Sequence, residues 1–105
     1  MTAEGPVTEQ VLLDVIPGQE SDFETAFETA RHVVAQSEGF CSLRLSRCIE
    51  QPNRYLLLIE WATLGAHTEG FRGGPLYPRW RELLHHFYDP FPTVLHFETV
   101  AALPA

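Results

Sequence analysis

The residues best suited to chemistry fall between Trp61 and Phe97. Trp61 ends an apolar run and His67 follows six residues later. An imidazole titrates near neutral pH, which makes His67 a candidate general base. The indole of Trp61 offers a flat wall on which a planar molecule can stack. Tyr77 and Arg81 are spaced to share one face of a helix, and the donor fork of Arg81 suits a substrate oxyanion. Abstraction of a phenolic proton by His67 would leave an electron-rich anion able to reduce dioxygen without flavin or metal. Leu57, Phe71, Trp80, Phe87 and His96 supply candidate walls for the same pocket. Two structural alternatives stand beside this reading: Trp61 as a core aromatic at a strand end, and His67 as a surface or capping histidine.

A metal reading fits less well. His85 and His86 are adjacent and project about 100° apart on a helix, so one ion is not easily shared between them. No metal and no bound cofactor is expected. The chain has no nucleophile elbow, no CxxC pair and no phosphate-cradling glycine loop followed by lysine.

Composition narrows the partners. Fourteen acids oppose seven basic residues, all arginine, for a formal charge of −7. Such a surface repels phosphate backbones, so neither nucleic acid nor an anionic membrane is an expected partner. The longest apolar run, Tyr55 to Ile59, is far short of the roughly 20 residues of a membrane helix. Cys41 and Cys48, if both on one strand, stand roughly 23 Å apart and on opposite faces, too far for a disulfide. Two free thiols imply a cytoplasmic protein.

The elements that must position the candidate residues can be read in order. Val7 to Ile16 alternates as a strand, with Val11, Leu13 and Val15 on one face. Ser21-Asp22-Phe23-Glu24 has the grammar of a capping box. Phe23, Ala26, Phe27, Ala30, Val33 and Val34 then make one helical stripe, stopped by Gly39. Phe40 to Ile49 is a second strand, with Leu43, Leu45 and Ile49 on one face. Arg54 to Trp61 is a third, apolar at nearly every position and therefore central. Thr63 caps a short helix to about Phe71, Gly73-Gly74 breaks it, and Pro75 opens the next. That helix carries Leu76, Trp80, Leu83 and Phe87 inward. Phe91 and Phe97, with Phe87 and Tyr88, pack its end and the last strand, Thr93 to Val100, against the sheet. Residues 1–6 and 101–105 read as tails around one domain, 7–100.

The order β-α-β-β-α-β is the split, ferredoxin-like arrangement. It predicts a four-stranded antiparallel sheet with helices on one face. Leu43, Leu45 and Val94 are expected on the other face, where a second copy would cover them.

The chain resembles the antibiotic biosynthesis monooxygenase family, of the dimeric α+β barrel group. The resemblance rests on Gly39-Phe40, Glu60-Trp61, Ala66-His67, the Phe71-Arg72-Gly73-Gly74-Pro75 break and the amphipathic helix leading to the last strand. It implies a homodimer joined through the sheet face, with a ligand cavity in each subunit. It also implies a cofactor-independent monooxygenase for a small aromatic, phenolic or quinone-related molecule. The family's quinone-forming oxygenases pair the strand-end tryptophan with an asparagine four residues earlier, where this chain has Leu57. Its haem degraders use a first-strand asparagine, absent here, and a histidine about where Phe71 stands. A non-catalytic small-molecule-binding or stress-related dimer is the alternative, and an isomerase or lyase the third.

Overall fold

Arg54–Trp61 becomes a strand at the expected bounds, and its alternate residues Tyr55, Leu57, Ile59 and Trp61 are buried. This strand, β3, lies between β2 (Phe40–Arg47) and β1 (Val7–Asp14), and β4 (Val94–Phe97) flanks β1. All three pairings are antiparallel. The structure is a computed structural model that describes residues 5–104. Of the expected tails, residues 1–4 and Ala105 lie outside the described residues.

Helix α1 (Glu20–Val34) presents Phe23, Phe27, Ala30, Val33 and Val34 to the sheet. Helix α2 (Tyr77–Leu84) adds Trp80 and Leu84, and the 3-10 turn after it adds Phe87. These side chains join Val7, Val11, Leu13 and the inward residues of β3 in one core. The architecture is therefore α+β, with the helices on one face of a four-stranded sheet.

Several local expectations change. The first strand ends at Asp14 because Ile16 N–H bonds to Phe87 O, drawing the chain toward the 3-10 turn. Helix α1 begins at Glu20, and no side-chain hydrogen bond caps it, so Ser21 is not the cap. Glu24 accepts from the Tyr55 hydroxyl instead and pairs with Arg47. Gly39 does not stop α1, which ends at Val34; it sits in the turn just before β2 with φ +88°. Strand β2 stops at Arg47, and Ile49 turns outward with 90 % of its surface exposed. Pro75 sits in the turn before α2, and Pro78 occupies the first turn of that helix. Phe91 and Phe97 are exposed rather than packed in the core.

The faces of β2 and β4 also need correction. A bulge between Phe40 and Ser42 shifts the alternation of β2. Leu43 lies opposite Ile59, Leu45 opposite Leu57, and Val94 opposite Val11. All three point to the helix face and pack on the core. The uncovered face carries Leu12, Leu56, Leu58, Leu95 and Phe97, paired in register through Gln10 and Thr8. Leu12, Leu95 and Phe97 are exposed there.

Candidate active site

The residues after β3 do not form an ordinary α-helix. Thr63 Oγ1 accepts the Ala66 N–H at 3.0 Å and starts the turn as expected, but Ala66–Phe71 then widens into a π-helical segment. Its wide hydrogen bond, Arg72 N–H to His67 O, measures 2.9 Å. Gly39 lets this segment sit close to the start of β2, since a Cβ there would overlap Ala66 Cβ. Both inward residues of the segment, His67 and Phe71, are buried.

His67 lies against Trp61 with ring centres 5.3 Å apart and planes at 22°. Trp61 is fully buried and does not reach the cavity. Its Nε1–H donates to Glu9 Oε1 at 2.9 Å. His67 Nε2 stands 3.4 Å from the same oxygen. On the other side of the imidazole, Nδ1 is 2.8 Å from Nε2 of His96. Glu9 and His67 are 6 % and 3 % exposed, the buried carboxylate and the buried imidazole among the described residues.

Three elements converge here for reasons of register. Glu9 is an inward position of β1, two residues from Val7 and Val11. It lies opposite Ile59 on β3 and opposite His96 on β4. A carboxylate placed in that row is largely withdrawn from bulk water, so protein donors must replace much of its solvation. Burial raises the Glu9 carboxyl above the usual carboxylate range, against the lowering effects of the Trp61 N–H and the Arg72 guanidinium. Burial, then the positive charge of Arg72 and the ring of His96, push the His67 imidazole down to about 3. Burial and Arg72 lower His96 as well. At neutral pH His67 is therefore uncharged.

The cluster forms part of the wall of a cavity of about 340 Å³ between the sheet and the π-helical segment, α2 and the loop before β4. Val11, Leu13, Leu57, Ile59 and Val94 form its floor, and Phe71, Trp80, Tyr77, His85, Tyr88 and Phe91 its aromatic walls. Tyr77 meets Phe71 edge to face at 5.6 Å, and His85 meets Phe91 in the same way at 5.0 Å. Burial, then Arg81, lower the imidazole of His85. Burial raises the phenol of Tyr88, with smaller contributions from Tyr77 and Glu9.

Of the residues singled out in the sequence, the fold brings His67, Leu57, Phe71, Tyr77 and Trp80 to the cavity. It places His96 behind His67 and Trp61 behind both His67 and Glu9. Phe87 is buried under α1, with its ring 5.8 Å from that of Phe23. Arg81 is exposed outside the cavity, its guanidinium 5.9 Å from the Tyr77 ring centre. The arginine in the wall is Arg72. Glu9, Arg72, His85, Tyr88 and Phe91 were not singled out as site residues from sequence. Glu9 was within reach of that reasoning, because strand parity puts it on the face of Val11 and Leu13.

No described helix is long and apolar enough to cross a membrane. Cys41 and Cys48 are free thiols.

The sequence profile of the antibiotic biosynthesis monooxygenase family matches residues 6–83. YczJ of Bacillus subtilis (strain 168), an uncharacterized protein, is 48 % identical over 94 residues, spanning 90 % of this chain and 99 % of YczJ. A solved Bordetella bronchiseptica structure, assigned to the antibiotic biosynthesis monooxygenases, is 33 % identical with a TM-score of 0.87, covering 92 % of this chain and 99 % of that one. SnoaB, a cofactor-independent oxygenase from Streptomyces nogalater, is 21 % identical with a TM-score of 0.83, covering 96 % and 99 %, a likeness of fold alone. With the sheet order and matched length in agreement, the chain belongs to the antibiotic biosynthesis monooxygenase family.

Proposed function

We propose that this protein is a cofactor-independent monooxygenase that converts a small phenolic or anthrone-like aromatic, with a C–H at the reacting carbon, into a quinone. The observation that carries this reading is an acid–base cluster, Glu9–His67–His96, set into an otherwise aromatic and aliphatic cavity. Such a cavity recognises a flat apolar body, and its few polar groups act on the ring substituents. Loss of a proton to the cluster leaves a substrate anion, whose charge the Arg72 guanidinium in the wall supports. The anion gives an electron pair to dioxygen and a C–O bond forms. The resulting hydroperoxide loses the remaining proton on that carbon as its O–O bond breaks. One oxygen stays as the quinone carbonyl and the other leaves as water, so the oxidant is dioxygen itself.

The working form is a homodimer joined through the uncovered sheet face. Leu12, Leu95 and Phe97 stand exposed beside Leu56 and Leu58 on that face, and covering them removes apolar surface from water. The free thiols fit a cytoplasmic setting.

A specific observation favours one other reading. Leu57 presents only an alkyl group to the cavity floor, whereas the oxygenase pattern has an asparagine amide there. A binding protein without turnover needs no such amide. Oxygen-electrode assays with a panel of hydroquinones and anthrones separate the two. Quinone formed from an anthrone with one dioxygen consumed and no hydrogen peroxide released supports the oxygenase. Saturable binding of the same compounds, with no consumption above the buffer rate, leaves the binder.

A further inference from the structure

We propose that Glu9 is the proton acceptor of this site, taking the acidic proton of the substrate on Oε2, with His67 as the group that holds the carboxylate. The proposal deepens the oxygenase reading and rests on it.

The hydrogen bonds of the cluster favour Glu9 over His67 as the base. Nε2 of His67 faces Glu9 Oε1 at 3.4 Å, and a carboxylate oxygen only accepts, so the tautomer that suits this neighbour carries its proton on Nε2. In that tautomer Nδ1 holds the ring's lone pair, and it lies 2.8 Å from His96 Nε2, which then donates to it. In that tautomer His67 has no lone pair left for a substrate. Glu9 differs. Its Oε1 receives the Trp61 N–H and faces His67. Its Oε2 makes no side-chain hydrogen bond among the described residues. No enclosed side-chain oxygen there lacks a partner, so Oε2 opens into the cavity that Glu9 lines. One oxygen is anchored and the other is free to accept, which is the geometry a carboxylate base requires.

The other groups around Glu9 are consistent with this role. Arg72 and His67 come from the segment after β3, His96 from β4 and Tyr88 from the loop before it. Arg72 is the cation among them. Proton transfer neutralises Glu9 and moves the negative charge to the substrate, which leaves Arg72 to support the new anion. Burial raises the carboxyl above the ordinary range, so its ionised form is a stronger base than an exposed glutamate. His67, pushed down to about 3, donates and orients as a neutral imidazole. It is a positioning residue as well as a wall of the cavity.

The test pairs turnover with a spectroscopic readout, using 1,8-dihydroxy-9-anthrone as the probe. Glu9→Gln is isosteric and keeps the acceptor for Trp61 and His67. Its kcat falls by about 100-fold or more, and the rise of rate with pH through the Glu9 ionisation disappears. His67→Gln keeps an N–H near Oε1, and its rate still rises with pH. Under anaerobic conditions, infrared difference spectra of the native chain gain a protonated-carboxyl band as the anthrone anion forms, and Glu9→Gln shows none. Glu9→Gln activity within about threefold of native, or loss of the acid limb in His67→Gln alone, overturns the assignment and leaves the oxygenase reading intact. So does anthrone ionisation with no carboxyl band. A native chain that neither ionises the anthrone nor consumes oxygen with it sinks both.

Discussion

The two faces of β1 break the same rule in opposite senses. On the helix face, Val7, Val11 and Leu13 bury apolar surface, but Glu9 among them buries a carboxylate at 6 % exposure. On the other face, Thr8, Gln10 and Asp14 are polar, but Leu12 among them is 46 % exposed. An alternating strand with polar residues outward and apolar ones inward would be more stable alone. Each departure marks a use: the buried acid lies in the candidate active site, and the exposed leucine on the surface proposed for the partner. A strand has only two sides, and here each carries one residue placed at a cost in stability.

The contrast can be broken on either side, and the helix face should respond more strongly. Trp61→Ala removes the ring that supports both His67 and Glu9 and leaves a cavity in the core. It should cost about 3–5 kcal/mol in urea unfolding.

A somewhat smaller effect comes from acid. The folded pKa of His67, about 3, lies below the ordinary 6.5. Its neutral form is the one the fold prefers. The contribution is therefore full above pH 6.5 and is lost as pH falls toward 3, on the order of a few kcal/mol. Urea midpoints measured across that window should fall in the native chain and fall less in His67→Gln. Glu9 has the opposite sign. Its folded pKa is raised, so ionising it opposes folding. Glu9→Gln should unfold at higher urea than the native chain near pH 8, with the gap closing below the unfolded carboxyl pKa. A gain in stability with a loss of turnover is the signature of a functional buried acid.

On the uncovered face, Leu12→Ser should shift the light-scattering mass from about twice the 11.9 kDa chain toward the single chain. The stability of the isolated protomer should change by less than about 0.5 kcal/mol. Smallest of all, Cys41→Ser, at an exposed free thiol, should leave mass, stability and turnover unaltered within that same margin.

Much of the scaffold was legible because its signals are periodic. Strand β3 showed itself as an apolar run and α1 as a stripe of aromatic and valine residues. The antiparallel sheet followed from the order of elements. What was not legible depends on irregular backbone. The bulge at Phe40/Ser42 reversed the face assigned to Leu43 and Leu45. The tight path around Gly18, with φ +94°, starts α1 ahead of the Ser21 box. The π-helical widening after Ala66 brings Arg72 to the cavity wall, where ordinary helical spacing had pointed to Arg81. Glu9 was missed for another reason: reading a strand by its apolar residues passes over the one acid that shares their parity.

Turnover under ¹⁸O₂ tests the central claim most directly. The account predicts that an anthrone converted by the native chain gains one labelled oxygen in its quinone carbonyl, with the second label in water, and that the chain needs no added flavin or metal to do so. Unlabelled quinone, or no quinone above the rate in buffer, would contradict it.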